Sequence, residues 1–411
     1  MNKVLSVIAE FNPFHNGHLY HVTESKRQTG CNYAIAVMNG NFTQRGEPSI
    51  IDKWSKAQMA LSSGFDLVLE LPTVYGISSA ENFAEGAVKL LNSLGIVDVL
   101  SFGSEEGNLD NLNTFASLFL DEPAEYVTLL KDELKRGYSF PSAREKAAIA
   151  YLNLKEDKKN ILTNPNNILG IEYLKALKKF SSNIKPFTIK RVFSDYNSLE
   201  INHTFASSSA IRNLISSNRL EKLSSIIPEK AYHILYSCLQ NGDFVLSLSA
   251  YEKIILYSLR TMSLEAITCV PEVSEGLEIV LKNASVSCNT LPTLLAKCKS
   301  KRFTLTRLQR ILLYVLLGIT KKDMEFSKNV IPYIRILGMN SQGQELVSQI
   351  CKSTPSLSVI TSLKKFQDSN KHFHLQKMIS IDKKASDIYT LGFSNSISYA
   401  NLDYTKKMII L

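Results

Sequence analysis

Two histidines, His15 and His18, stand three residues apart around Asn16-Gly17, just after the apolar run 4–9 and the break at Asn12-Pro13. Imidazoles at that spacing share one side of a helix start. Both can aim donors at a single anion, including the negative charge that grows on a phosphate under attack. Gly17 lets the backbone approach a ligand closely. The helix that starts at His18, read from Leu19, Val22 and Thr23, turns its free N–H groups and positive dipole end toward phosphate. A second anion group follows far along the chain, where Ser207-Ser208-Ser209 precede Arg212. Hydroxyls ahead of a helix that carries an arginine on its first turn hold phosphate oxygens by side chain, backbone and guanidinium together. No lysine stands in this box, so Arg212 carries its charge. Between the two groups lies the polar loop 39–52, in which Gln44, Arg45 and Glu47 are placed to touch substrate. These groups suit displacement at the α-phosphate of a nucleotide.

Such groups need a scaffold, and the periodicity of the chain supplies one. Val4, Leu5, Val7, Ile8 and Ala9 read as a strand covered on both faces. Further strands are predicted at 33–38, 66–71, 97–102 and 187–192, the last ending in Arg191 and a turn at 194–196. With helices at 53–63 and 79–94 they predict an α/β fold, a doubly wound parallel sheet of Rossmann type. Ligands of such sheets bind beyond the carboxyl ends of the strands. The histidines, the 39–52 loop and the turn from Gly103 to Gly107 all fall there. Helices at 109–120, 124–136, 142–152 and 164–180 make an insertion over about 109–180 in a catalytic domain spanning 1–217. Asn166 and Asn167 open the last of them. Beyond 215 the spacing is helical throughout, at 232–239, 249–262, 275–282, 291–297, 304–317 and 343–348, so 218–411 reads as a separate helical domain. Residues 335–340 and 378–411 suggest no chemistry.

Composition narrows the class. With 411 residues and 45% hydrophobic content the chain can bury a sizeable core. No apolar run approaches the roughly 20 residues that span a bilayer, and Met1-Asn-Lys3 leads straight into a strand, which predicts a soluble cytoplasmic protein with no membrane partner. Six cysteines without CxxC pairing fit reduced thiols rather than a disulfide framework or a zinc site, and no protein metal site is expected. The net charge of +9 is uneven, because residues 219–411 hold 25 Lys and Arg against 15 Asp and Glu, while 1–218 hold 22 against 23. From Glu278 to Asp323 there are nine bases and no intervening acid, among them Lys299, Lys301, Arg302, Arg307 and Arg310. That run is an electrostatic footprint for a polyanion, with RNA rather than DNA the expected partner.

His-Asn-Gly-His at the mouth of a helix resembles the HxGH signature of the nucleotidylyltransferase superfamily, which is related to class I aminoacyl-tRNA synthetases. Five ordered motifs go further: Ala9-Glu-Phe-Asn-Pro-Phe-His-Asn-Gly-His-Leu-Tyr-His21, Val37-Met-Asn-Gly-Asn-Phe-Thr-Gln-Arg-Gly-Glu-Pro48, Asp66-Leu-Val-Leu-Glu-Leu-Pro72, Phe102-Gly-Ser-Glu-Glu-Gly107 and Asn164-Pro-Asn-Asn-Ile-Leu-Gly170. Together they resemble the bacterial tRNA(Met) cytidine acetate ligases. The resemblance implies ATP-dependent activation of acetate as acetyl-adenylate, with loss of pyrophosphate. Acetyl then passes to the wobble cytidine of elongator tRNA(Met), giving N4-acetylcytidine. It implies catalytic roles for His15 and His18. It also implies ATP contacts by Val7, Ile8, Ala9, Glu10, Phe11, Asn12, Pro13, Phe14, His15, Asn16, Gly17, His18, Leu19 and Tyr20, and by Gly103, one of Asn166 and Asn167, Arg191, Ser208 and Arg212. Mg²⁺ is expected on the phosphates with few protein ligands. Two other readings stay open on the residues alone: a small-molecule adenylyl- or cytidylyltransferase, and an RNA-binding protein that senses ATP.

Overall fold

Strand β2 (Tyr33–Asn39) shows how the sheet is built. Tyr33, Ile35 and Val37 enter one hydrophobic core and Ala34, Ala36 and Met38 the other, so a single strand feeds both faces. The computed structural model describes residues 3–154, 161–191, 204–274, 276–330, 333–369, 373–395 and 399–411. β1 (Val4–Ala9), β3 (Leu67–Leu71), β4 (Val99–Ser104) and β5 (Lys185–Lys190) join β2 in the parallel order β5-β4-β1-β2-β3. The chain winds outward from β1 in both directions, which leaves the switch point between β1 and β4. The carboxyl ends of those two strands frame the crevice where such sheets bind ligands.

Many of the expected helices form within a residue or two of their predicted ends, including Ala80–Leu94, Phe140–Tyr151, Pro165–Lys179 and Leu305–Leu317. Those expected at 232–239, 275–282 and 343–348 run longer, as Glu229–Asn241, Leu277–Ser287 and Ser341–Ser353, and 249–262 is helical as Glu252–Thr261. Two expectations change. Gly103 lies inside β4 rather than just beyond it. The turn at 194–196, Val192 and Glu275 lie outside the described residues. Most important, the C-terminal half is not helical throughout: β6 (Ile334–Met339) pairs antiparallel with β3, and β7 (Val359–Ile360) and β8 (Ile409–Ile410) pair with β6. The segment left without chemistry, 335–340, therefore extends the sheet, because a short apolar strand beside β3 covers an edge that would otherwise stay open.

A buried charge cluster fastens this extension. Lys53 Nζ reaches Glu70 at 2.9 Å and Asp403 at 2.8 Å, and Arg335 lies 3.4 Å from the same aspartate. The Tyr333 hydroxyl and the Thr73 N–H both donate to Asp382. Charges so far from water are tolerated when paired, and removing one partner typically costs about 3–5 kcal/mol.

Candidate active site

His15 is the N-cap of the Asn16–Thr29 helix, and its Nδ1 accepts from the Gly17 N–H at 3.1 Å. His18 Nδ1 accepts from the His15 N–H at 3.2 Å, so the two imidazoles close a reciprocal capping box. Because both Nδ1 atoms accept, the proton of each neutral ring sits on Nε2. The rings stack at 3.8 Å, and both residues line the cavity. Burial, followed by the charge of Arg191, lowers the His15 pKa to about 3; burial and then His15 depress His18 as well. The helix mouth thus presents two neutral Nε2–H donors. Phe14 is not at the surface of the site but beneath it, fully buried, with its ring 5.0 Å from Phe11 and 5.3 Å from His18.

The cavity measures ≈ 740 Å³ and sits over the switch point. Of the expected nucleotide contacts it is lined by Val7, Ile8, Ala9, Glu10, Phe11, Asn12, His15, His18, Gly103, Asn166, Arg191, Ser208 and Arg212. Pro13, Phe14, Asn16, Gly17, Leu19, Tyr20 and Asn167 do not line it and support it instead. Asn16 Nδ2 donates to the carbonyls of Thr204 (2.9 Å) and Ser225 (3.0 Å), tying the helix start to the chain entering the serine box. The two asparagines left open by sequence separate here. Asn167 is buried, accepting from the Glu106 N–H and donating to the Ile161 carbonyl, whereas Asn166 faces the cavity with its amide on Glu105.

The serine box lines the same cavity. Ser207 caps the Ser208–Ser216 helix, and Ser207, Ser208 and Ser209 all face the cavity. Arg212 donates to the Asn12 carbonyl at 3.0 Å and lies 3.5 Å from Glu47. Arg191 also lines the site, and its Nε is buried without a hydrogen-bond partner among the described residues. Gln44, Arg45 and Glu47 reach the cavity from a tight hairpin closed by Thr43 N–H to Glu47 carbonyl at 2.8 Å. Below it, Lys56 Nζ donates to the carbonyls of Glu10, Asn39 and Gly40 and contacts the Ser49 hydroxyl; burial lowers its pKa to about 7.

The basic run divides. Lys299 and Lys301 are exposed and outside the cavity, while Arg302, Arg307 and Arg310 line it. Arg310 is buried and grips the Glu272 carboxylate at 2.7 and 2.6 Å; Arg307 clasps the Glu272 carbonyl at 2.7 Å. Glu272 thus turns two of the five bases named in that run inward. Sequence reasoning missed His21, which continues the three-residue spacing and meets Ser101 at 2.9 Å. It also missed Phe83, Phe102, Arg144 and Tyr173, which the insertion and β4 bring to the same cavity by tertiary packing. Among the described residues no cluster of three or more His, Cys, Asp or Glu is placed to hold a metal ion, and no helix is long and apolar enough to cross a membrane.

Residues 2–403 match the family model described as HIGH Nucleotidyl Transferase. A relative from Thermoanaerobacter sp. (strain X514) named tRNA(Met) cytidine acetate ligase is 47% identical over 409 residues, covering 99% of this chain and 100% of its own. The chain belongs to the HIGH nucleotidyl transferase family, among the tRNA(Met) cytidine acetate ligases. A relative of the same name from Caldanaerobacter subterraneus subsp. tengcongensis is 42% identical, with both chains fully covered. The crystal structure of Thermotoga maritima TmcAL in its apo form superposes with a TM-score of 0.94 at 35% identity, covering 100% of this chain and 99% of that one. A second form of the same protein, bound with alpha-thio ATP, gives 0.92. The nucleotidylyltransferase fold expected from sequence is thus the fold of the family, with a mixed rather than purely parallel sheet.

Proposed function

We propose that this chain is an ATP-dependent ligase that activates acetate as acetyl-adenylate and transfers acetyl to the wobble cytidine of elongator tRNA(Met), forming N4-acetylcytidine. The observation that carries this reading is a single cavity lined by the two imidazole donors, by the serine box and by Arg302 and Arg307 of the basic C-terminal half. A small-molecule nucleotidyltransferase has no use for bases supplied from that half. In the first step an acetate oxygen attacks the α-phosphorus and pyrophosphate leaves. His15 and His18 donate Nε2–H to the phosphate oxygens as charge grows on them, while Ser208, Arg212 and Arg191 hold the polyphosphate. Asn166 and Gly103 face the ribose and base. Mg²⁺ entering with ATP would offset phosphate charge and would depend on phosphate oxygens and water more than on protein carboxylates. Gln44, Arg45 and Glu47 border the acetate. In the second step the cytidine amine attacks the acetyl carbonyl and AMP departs. Residues 1–217 supply the adenylating machinery and 218–411 the grip on tRNA, in the cytoplasm where tRNA is modified. Incubation with ATP, labelled acetate and total tRNA, followed by nucleoside analysis, tests the reading: label is expected in N4-acetylcytidine of tRNA(Met). Pyrophosphate release without labelled nucleoside would overturn it.

A further inference from the structure

The cavity contains a carboxylate and a phenol whose outer oxygens the adenylation step described above does not call on. Glu10 lines it at the end of β1, with Oε1 fixed by the Gln44 N–H at 2.7 Å and Asn39 Nδ2 at 3.1 Å, while Lys56 holds its carbonyl at 3.1 Å. Its Oε2 makes no hydrogen bond among the described residues. A carboxylate only accepts hydrogen bonds, so its ligand must bring an N–H or O–H. Acetate and ionised phosphate bring none and are repelled by it, which leaves a hydroxyl or amine of the nucleotide or the amine of the acceptor base. Tyr173 stands on the Pro165–Lys179 helix and lines the same cavity. It is 4% exposed, its ring wedged 5.7 Å from Phe102 and 6.5 Å from Phe83. Its hydroxyl has no hydrogen-bond partner among the described residues, and the residue lines the cavity. A phenylalanine would fill the same space, so the oxygen points to a ligand. Burial, and then the charge of Glu10, push the phenol pKa up, which keeps it a donor.

Resting on the function proposed above, we infer that Glu10 and Tyr173 serve the acyl-transfer step: Glu10 accepts the proton of the attacking cytidine amine, and Tyr173 donates a hydrogen bond to the acetyl carbonyl oxygen. The amine nitrogen bonds to the carbonyl carbon, whose oxygen gains negative charge against the Tyr173 O–H. The carbon–oxygen bond to the phosphate then breaks and AMP leaves as its anion. The amine proton goes to Glu10 and from there to water. The aromatic walls at Phe83 and Phe102 suit a base turned out of its stack.

The test compares two rates in the full-length enzyme: acetate-dependent exchange of pyrophosphate into ATP, and single-turnover transfer to tRNA after acetyl-adenylate has formed. Glu10→Gln keeps an acceptor for Gln44 and Asn39 but takes no proton. It is expected to slow transfer by about 10²-fold or more and exchange by less than about tenfold, with added imidazole restoring part of the transfer rate. Tyr173→Phe is expected to slow transfer by roughly 10²-fold with a smaller change in KM for ATP. Parallel loss of both rates in Glu10→Gln, a raised KM for ATP as its main effect, or no response to imidazole would assign Glu10 to the nucleotide instead. Unchanged transfer in Tyr173→Phe overturns the role of the phenol. If the wild-type enzyme exchanges pyrophosphate but acetylates no tRNA, the functional reading itself has failed.

Discussion

Each of the two signature histidines uses one ring nitrogen on backbone and keeps the other for ligand, so the motif builds its own donors. Because His15 Nδ1 takes a helix N–H and His18 Nδ1 takes only the N–H of the N-cap residue, His15→Ala removes the cap and a donor together, while His18→Ala mainly removes a donor. Either change is expected to slow acetate-dependent pyrophosphate exchange by roughly 10²–10³. His15→Ala should also lower stability by about 1 kcal/mol, measured by urea unfolding, and near wild-type exchange in both variants would remove the pair from catalysis. Acid stability follows from the same burial. His15 and His21 are held neutral down to about 3 and about 4, chiefly by burial and then by Arg191. Unfolded histidine takes a proton near pH 6.5, so between that pH and the folded values the unfolded state binds more protons. Stability is therefore complete above about pH 6.5 and falls as pH drops through this window, by up to about 1.4 kcal/mol per pH unit for each group. His21→Gln is expected to flatten that slope between pH 6.5 and 4; an unaltered slope would mean His21 is not held neutral.

Elements matter here mainly through where loops meet them. Gly46 sits at φ +78° in the hairpin that carries Gln44, Arg45 and Glu47, and an added Cβ would lie 2.4 Å from the Arg310 backbone nitrogen. The substrate hairpin is thus packed directly on the Leu305–Leu317 helix, and Gln309 reaches Glu47 at 3.2 Å. Gly137 has a similar φ of +86° with nothing within 4 Å. Gly137→Ala is expected to cost only the backbone strain, about 1 kcal/mol, whereas Gly46→Ala must also push the hairpin off the helix and should raise KM for acetate severalfold. Equal effects in exchange kinetics and unfolding would show that the helix packing carries no function. Packing of this kind, between segments far apart in the chain, is where local sequence patterns stop being informative. β1 to β5 and the two anion groups are local, each announced by an apolar run, a break and a helix start within about fifteen residues. β6 is six residues long, carries Arg335 and Gly338, and its partner β3 lies more than 260 residues earlier, so nothing nearby distinguishes it from one more helical turn. Tyr173 and Arg144 read as ordinary helix positions for the same reason: their role depends on where the insertion folds back. Asn166 and Asn167 separate only when Glu105 and Glu106 are seen beside them.

For the molecule as a whole, the question is how a charge excess concentrated after residue 218 serves a site built almost entirely before it. The Leu305–Leu317 helix brings Arg307 and Arg310 to the cavity, but Glu272 already binds both, one by its carboxylate and one by its carbonyl. Arg310 is buried and is expected to hold the wall, so that Arg310→Ala leaves the Glu272 carboxylate without its main partner and costs about 3 kcal/mol or more. Lys299, Lys301 and Arg302 instead stand exposed, and Arg302 also lines the cavity. Reversing these three charges is expected to weaken tRNA binding and to flatten its dependence on salt, by about 0.7–0.9 in the log-log slope for each phosphate no longer neutralised. Pyrophosphate exchange should survive, because ATP and acetate are held by the sheet's carboxyl edge and the serine box. Binding titrations at several salt concentrations, read beside exchange on the same protein, separate the outcomes. A folded variant that binds tRNA with unchanged affinity and slope would show that these three residues form a solvated face, and that the acceptor RNA is gripped by other parts of the basic half.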